Sequence, residues 1–214
     1  IVSFSIPYPA NYGGVIDVFY KLVALHKAGI KIHLHCYQYD RPEAEILKKY
    51  CETVAYYPRI TGFISQLSLK PYIVVSRRSE MLLKNLLRDN YPILFEGLHS
   101  CYYLDHKALK GRTLIYRERN IEHDYYFNLF KSERSLGRKL FFLGESLKLR
   151  LYQKQLQDST RMLVVSQTDR DYLAAKFPRK DVVYLPSFHG NNEVKSLPGK
   201  GNYVLYHGNL SVGE

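Results

Sequence analysis

The first 37 residues constrain the fold most, because they carry a complete strand–turn–helix–strand pattern. The opening IVSFSI alternates apolar and polar residues, as a β-strand does. Gly13 and Gly14 follow, a helical pattern starts at once, and Gly29 is placed to end it. A second alternating strand then runs to Tyr37. This pattern predicts a βαβ unit with parallel strands and a right-handed crossover. Its helix should bury Val15, Val18, Phe19 and Leu22, which recur at spacings of three and four.

The paired glycines at the strand-to-helix turn have two interpretations. Without side chains, Gly13 and Gly14 let a ligand approach the backbone, and the helix behind them offers unpaired N–H groups and a positive dipole end. Together these features favour a phosphate site. Alternatively, the glycines only permit a tight turn. The spacing alone leaves both interpretations open.

The rest of the chain continues to alternate strands and helices. Further strands are predicted at 53–57, 92–96, 113–116, 161–166 and 182–185, and helices at 42–50, 61–69, 79–88, 124–131, 136–157 and 167–176. This alternation predicts an α/β class: a Rossmann-like parallel sheet with helices on both faces. We expect one domain over 1–188, a polar linker over 189–201, and the start of a second domain over 202–214.

The composition indicates what kind of partner the chain binds and in which cellular compartment it lies. Lysine and arginine total 31 against 20 acidic residues, a net charge of +11, which favours an anionic partner. The three cysteines fit no metal pattern, and reduced core positions are expected for Cys36 and Cys51. His33 and His35 share a strand face without an apparent third ligand, so no metal is expected. With no membrane-length apolar run and no signal peptide, we expect a cytoplasmic protein, with peripheral association at the inner face of the membrane as an alternative.

Three predicted strand ends carry polar residues and should meet at one edge of the sheet, where ligands bind in such folds. The first strand leads to Gly13 and Gly14, and the strand at 92–96 leads to His99. The strand at 113–116 leads to a polar cluster. Its members are Arg119, Asn120, Glu122, His123 and, slightly later, Tyr126. A lone histidine in a loop and a solvated charged loop are the simpler alternatives. No GxGxxG or P-loop motif is present, and no nucleic-acid motif is recognised.

The helix predicted at 136–157 has a leucine stripe with basic residues on the opposite side. The stripe is Leu136, Leu140, Leu143, Leu147 and Leu151, and the basic residues are Arg134, Arg138 and Lys148. The basic side is either a solvated face or a surface that lies on acidic lipid. The second alternative describes a membrane-binding module without catalysis.

Several segments, taken in order, resemble the retaining family-4 glycosyltransferases of the GT-B fold. They are the opening PYPANYGGVIDVFYKLVALHKAGIKIHLHCY, then RNIEHDYY, VVSQTDRDYL followed by DVVYLPS, and YHGNLSVGE. The last segment is similar to the first strand of that family's second domain. One departure is Pro186-Ser187, where the family has asparagine-glycine, which leaves the hinge contacts open.

The resemblance implies the acceptor-binding half of an enzyme that moves a hexose from a nucleotide sugar to a glycan or lipid-linked acceptor. It implies donor diphosphate contact for Gly13 and Gly14, and a catalytic position for His99. It implies an acceptor-side position for Arg119, Asn120, Glu122, His123 and Tyr126. No cofactor is implied, since the nucleotide sugar is the donor substrate. The family's donor-binding basic pair and Glu-x7-Glu motif lie in the second domain, so this chain alone should be inactive.

Overall fold

The computed structural model describes residues 1–191, 193–194 and 199–202, except for the side chains of residues 63 and 64. The expected start of a second domain therefore lies almost wholly outside the described residues. The proposed boundaries at 188 and 201 remain predictions.

Seven parallel strands form one sheet in the order β3-β2-β1-β4-β5-β6-β7. The strands are β1 Val2–Ser3, β2 His33–Gln38, β3 Thr53–Pro58, β4 Ile93–Glu96, β5 Leu114–Glu118, β6 Arg161–Val164 and β7 Asp181–Tyr184. Every strand pairing is parallel. The α/β Rossmann-like class predicted from the alternating pattern is confirmed.

Helices connect these strands. They are α1 Gly13–Lys27, α2 Phe63–Gln66, α3 Tyr72–Val75, α4 Glu80–Leu86, α5 Glu122–Ser132, α6 Leu136–Tyr152 and α7 Gln167–Lys176. Short 3-10 helices cover Glu45–Lys49, Leu98–Tyr103, Lys107–Leu109 and Gln153–Asp158. Gly29, with φ of 77°, follows the end of α1, as its position in the sequence predicts.

Both faces of the sheet are covered on the β3 side. Successive strand residues point to opposite faces. On β3, Tyr56 packs into an apolar cluster with Leu22 of α1, whereas Tyr57 belongs to a larger cluster with Leu82 of α4. The larger cluster extends along the sheet to Leu149 of α6. All three cysteines are buried and free, as expected for Cys36 and Cys51.

The strand order reverses direction at β1. This strand lies between β2 and β4, and Val2 pairs with His35 on one side and Phe95 on the other. Loops that leave neighbouring strands in opposite directions open a crevice beyond the carboxyl ends of the strands, where doubly wound folds bind ligands. In this chain the crevice lies between the loops after β1 and β4.

The leucine stripe of α6 largely faces solvent. Leu136, Leu140, Leu147 and Leu151 are exposed, and Leu143 is half-buried. The inward face of α6 carries Glu145 and Ser146 beside Leu149 and Tyr152. A carboxylate can face inward there because Glu145 accepts the backbone N–H of Tyr72 at 2.6 Å.

Candidate functional site

The site begins at the amino end of α1. Tyr12 occupies the N-cap position without a side-chain hydrogen bond, and the first turn holds no acidic residue. N-terminal helix N–H groups have no partner within the helix, so capping side chains usually satisfy some of them. The turn at Gly13 and Gly14 therefore combines free N–H donors with the positive end of the helix dipole.

Arg119 packs directly against this turn. Its guanidinium lies over the Phe4 ring, 3.8 Å from the centroid. A methyl group added at Gly14 would overlap an Arg119 nitrogen, whereas one added at Gly13 would meet nothing within 4 Å. The two glycines are thus unequal, because only Gly14 is required by packing within the chain.

The loop after β4 reaches the same guanidinium. Gly97 has a φ of 73°, a conformation that favours glycine, and a Cβ there would lie 3.2 Å from an Arg119 nitrogen. The same Cβ would lie 3.3 Å from Nδ1 of His99. The His99 ring is also 5.8 Å from the Phe4 ring, centroid to centroid. Arg119 therefore lies between the loops that open the crevice, in contact with both.

Glu122 completes this group from the first turn of α5. Its Oε1 lies 3.5 Å from Nδ1 of His99. Burial raises the pKa of Glu122 to about 7, against the lowering effect of Arg119 and Arg77. Burial also holds the pKa of His99 well below its ordinary value, with further lowering by Arg77, Arg119 and Arg59. His99 is consequently a neutral imidazole at pH 7.

The polar atoms of the site are not fully satisfied within the described part of the chain. Nδ1 of His99 and Nε of Arg119 are both buried and find no hydrogen-bond partner there. In the same part of the chain, no carboxylate lies within ion-pair distance of Arg119. Arg119 as a whole is half-buried, but its Nε is buried without a partner, and a guanidinium held this way beside a positive helix end is unfavourable unless an anion is bound. The arrangement therefore suits an anionic group.

A second arginine contributes charge from behind the site. Arg77 is buried and donates from Nε to the Phe4 carbonyl at 2.8 Å and from a terminal nitrogen to the Ile73 carbonyl at 2.6 Å. Burial and the charge of Arg59 lower the pKa of Arg77 to about 9. These contacts fix the backbone on which Phe4 presents its ring to Arg119.

The remaining residues suggested for the acceptor side separate. Burial and the charge of Glu122 raise the pKa of Tyr126, whose ring packs against Phe142 of α6. Asn120 instead lines a cavity of about 300 Å³ together with Asp169 and the outer side of α5. His123 turns towards α7, where its Nε2 is 3.5 Å from the Tyr172 hydroxyl.

Sequence reasoning missed a buried ion network beneath the site. Asp17 accepts from Arg117 at 3.1 and 3.3 Å and from Lys21 at 3.1 Å. Lys21 also donates to Glu96 at 2.6 Å. One signal was available: Asp17 and Lys21 stand four residues apart among the apolar residues of α1, where they share a face.

This network also holds the chain where it leaves β7. Arg117 donates to the carbonyls of Leu185 at 2.6 Å and Pro186 at 3.1 Å. Asp17 accepts the backbone N–H of Phe188 at 2.8 Å. Pro186, where the sequence departs from the resembled family, thus meets the network through its carbonyl, which proline retains.

Other histidines have structural partners. His33 pairs with the Thr53 hydroxyl and His35 with the Tyr57 hydroxyl, both at 2.8 Å. Burial lowers the pKa of His35 to about 3. Within the described ranges, no three His, Cys, Asp or Glu side chains group as metal ligands. The helices of the same ranges include none that is long and apolar enough to cross a bilayer.

Comparison with known proteins gives a distant relative. No protein-family model matches the chain, and no solved structure matches it. The chain is 27% identical over 179 residues to an "Uncharacterized 44.6 kDa protein in cps region" of Klebsiella pneumoniae. The match covers 80% of this chain and 46% of the relative, so the chain spans about half the length of the protein it resembles.

Proposed function

We propose that this chain is the acceptor-binding half of a retaining glycosyltransferase that moves a hexose from a nucleotide sugar to a glycan or lipid-linked acceptor. One observation carries the proposal. The uncapped start of α1 and the unpaired Arg119 guanidinium meet at the point where the strand order reverses. Backbone N–H donors, a helix dipole and a guanidinium are the groups that bind phosphate.

In this proposal the donor diphosphate lies against Gly13 and Gly14. When the bond between the sugar and the phosphate breaks, the leaving phosphate gains negative charge. Fixed N–H groups and the Arg119 guanidinium would stabilise that charge without having to reorient. Arg119, assigned from the sequence to the acceptor side, would then contact the donor as well.

The neutral His99 would bind a sugar hydroxyl. Its ring is partly exposed, its Nδ1 is buried, and Glu122 lies 3.5 Å from that nitrogen. A neutral imidazole both donates and accepts hydrogen bonds, as a hydroxyl does. Tyr126 would join His99 and Glu122 near the acceptor. Asn120 and His123 lie apart from this group, Asn120 at the cavity beside Asp169 and His123 towards Tyr172.

The relative supports a role in polysaccharide synthesis. Its description places it in a cps region, and we take this as a capsule-associated region. Building a capsule requires sugar transfer from activated donors to a growing chain. Because the relative is about twice as long as the match, we also propose that a second, donor-binding domain follows this one in the natural protein.

The experiment uses the natural full-length protein and a panel of nucleoside diphosphates and nucleotide sugars. Binding is measured by calorimetry, and donor hydrolysis or transfer by release of the nucleoside diphosphate. We expect at least one nucleotide to bind, and Arg119→Met to weaken it by about tenfold or more, the loss of one charge-assisted hydrogen bond.

Arg112→Met is a partial control. This substitution also removes polar contacts, to Leu86, Tyr91 and Asp89. Arg112 precedes β5, however, and so lies at the opposite end of that strand from Arg119. The substitution should lower stability without changing nucleotide affinity in the folded protein. If no nucleotide binds, or if both variants bind as the wild type does, the proposed donor site is wrong.

A further inference from the structure

The two antiparallel helices α5 and α6 carry a row of exposed leucines. Side chains of Leu136, Leu140, Leu147 and Leu151 are 73%, 60%, 55% and 65% exposed. They recur at four, seven and four residues and so share one face of α6. Over 15 residues this face extends about 22 Å. We call these four leucines the leucine ridge.

Aromatic residues of α5 border the ridge. Phe127 and Phe130 stack with centroids 5.6 Å apart, and Phe127 is exposed. Lys131 lies over the Phe127 ring at 4.6 Å and Lys139 over the Phe130 ring at 5.2 Å. The apolar surface is thus edged by cations that approach it closely. A contiguous apolar surface of this kind on a folded domain indicates an interaction site.

The charges around the leucine ridge indicate whether a second copy of this surface or a lipid bilayer would bind there. Residues 125–154 contain seven lysines and arginines and two carboxylates, Glu133 and Glu145. Glu145 is buried, and Glu133 is bound to Arg138 and to the backbone N–H groups of residues 134 and 135. Of these cations, Lys139 and Arg150 flank the leucines on α6, whereas Arg138 and Lys148 lie on the opposite side of the helix. The exposed carboxylate of Asp124, in the first turn of α5, lies 3.5 Å from Nε2 of His123. A second copy of this surface would bring like charges together, whereas an acidic bilayer would meet them with opposite charge.

We propose that the leucine ridge and its basic border dock this domain on an anionic lipid bilayer. The leucines and Phe127 would enter the boundary between headgroups and acyl chains, and the lysines and arginines would bind lipid phosphates. The ridge lies parallel to the helix axis, which suits a helix resting in the plane of the interface. This inference does not depend on the proposed sugar transfer.

The helices α5 and α6 lie next to the candidate site, so a bilayer bound to them would lie close to that site. α5 begins at Glu122, the residue that approaches His99, and Tyr126 one turn later contacts Phe142 of α6. A bilayer bound along α6 would lie beside the crevice. If the acceptor is lipid-linked, its head group would then reach the crevice without leaving the membrane. This last step alone rests on the proposed function.

The test is flotation of the natural full-length protein with vesicles of phosphatidylcholine alone or with 30% phosphatidylglycerol, and without nucleotide. We expect binding to the acidic vesicles only, weakened by salt. Leu140→Gln with Leu147→Gln should reduce binding by about tenfold or more, because two large apolar side chains no longer enter the bilayer. Both leucines are exposed and glutamine is a good helix former, so the fold should be retained.

Ile30→Gln with Ile46→Gln is the control, since these isoleucines are also exposed, at 52% and 37%, but lie next to the apolar cluster on the α1 side of the sheet. It should bind as the wild type does. A second pair, Lys139→Gln with Arg150→Gln, should weaken binding to acidic vesicles by about tenfold. Its control is Lys27→Gln with Lys31→Gln, exposed cations near the end of α1.

Three outcomes would overturn the proposal. The first is that the full-length protein does not float with acidic vesicles at low salt, and the second is that the ridge and control pairs float equally. The third outcome is a dimer in solution that Leu140→Gln with Leu147→Gln converts to monomer, which would make the ridge a contact between two copies. Loss of vesicle binding with intact nucleotide binding would leave the proposed transfer unaffected, and the reverse result would leave the docking surface unaffected.

Discussion

At the scale of single residues, the two glycines before α1 separate packing from ligand contact. Gly14→Ala should displace the Arg119 guanidinium, whose nitrogen occupies the space of a side chain at 14. Gly13→Ala meets no protein atom within 4 Å, so the variant should unfold at the wild-type temperature. We expect both to weaken nucleotide binding, Gly14→Ala by about tenfold or more because the guanidinium moves. Calorimetry and thermal unfolding of the full-length protein measure the two effects.

Gly137→Ala serves as the control for this pair. Gly137 lies in the first turn of α6 and also has open space around it. Its alanine variant should bind nucleotide normally. If Gly13→Ala binds as well as Gly137→Ala, no ligand approaches the backbone at 13, and the glycine there serves the turn alone.

A buried carboxyl next to the site should make stability depend on pH. Burial and the charge of Glu122 raise the pKa of Glu118 from 4.5 to about 8. The folded chain therefore holds this proton more tightly than the unfolded chain, so the contribution is complete below pH 4.5 and is lost as pH rises towards 8. Glu118→Gln should remove a slope of up to about 1.4 kcal/mol per pH unit in this window. Urea unfolding at pH 5, 6, 7 and 8 measures it.

Glutamine suits position 118 because its carbonyl can accept the Arg119 N–H and its amide can donate to the Tyr116 hydroxyl, which in the wild type bonds the Glu118 carboxyl. Exposed Glu52→Gln is the control and should run parallel to the wild type. Parallel profiles for the wild type and Glu118→Gln would show that Glu118 is ionised in the folded protein at pH 5.

At the scale of elements, the Asp17 network joins α1 to β5 and to the chain after β7. Asp17→Asn leaves the buried Arg117 and Lys21 without their carboxylate partner. Because an unpaired buried charge is costly, we expect a loss of about 3–5 kcal/mol in the free energy of unfolding. Urea unfolding checks it, and chymotrypsin should cleave faster after Phe188, whose N–H Asp17 holds.

Glu45→Gln is the control, since it removes an exposed ion pair with Lys48. Such a pair contributes about 0–1 kcal/mol, so stability and cleavage should stay near the wild type. An Asp17→Asn protein as stable as this control would mean that the network contributes no net stability.

The α6 helix shows why an element is easier to predict than its orientation. The leucine period indicated a helix starting at Leu136, and the helix is there. Which face turns inward was decided by distant partners. Glu145 is satisfied by the Tyr72 N–H and Ser146 by the His123 carbonyl, contacts spanning 73 and 23 residues. A single sequence carries no direct signal of such pairings, so the leucine period predicts the helix but not the face that packs inward.

At the scale of the whole molecule, the fold class was predictable because every strand and long helix follows a local period. Gly14, His99, Arg119 and Glu122 were also predicted to share an edge, since strand ends of a parallel sheet meet there. The contacts among these residues could not be predicted from the sequence. The position of Arg119 between two glycines depends on the strand order, in which β4 pairs beside β1.

The proposed division of labour between two halves gives a prediction at this scale. The chain 1–214 should not transfer sugar even when folded, whereas the natural full-length protein should, because most donor contacts are proposed to lie in the second domain. Circular dichroism checks that the chain 1–214 is folded, and nucleotide release from a panel of donors checks whether it transfers sugar. Transfer by residues 1–214 alone would place the whole donor site within the Rossmann-like domain.

The contacts of Arg117 with the carbonyls of Leu185 and Pro186 have a mechanical consequence. Through Arg117, the chain that leaves β7 is linked to the carboxylate of Asp17, which belongs to α1. A displacement of the amino end of α1 would therefore be transmitted to residues 185–188 through these hydrogen bonds and ion pairs. The direction in which the chain leaves the sheet after β7 would therefore depend on the position of α1.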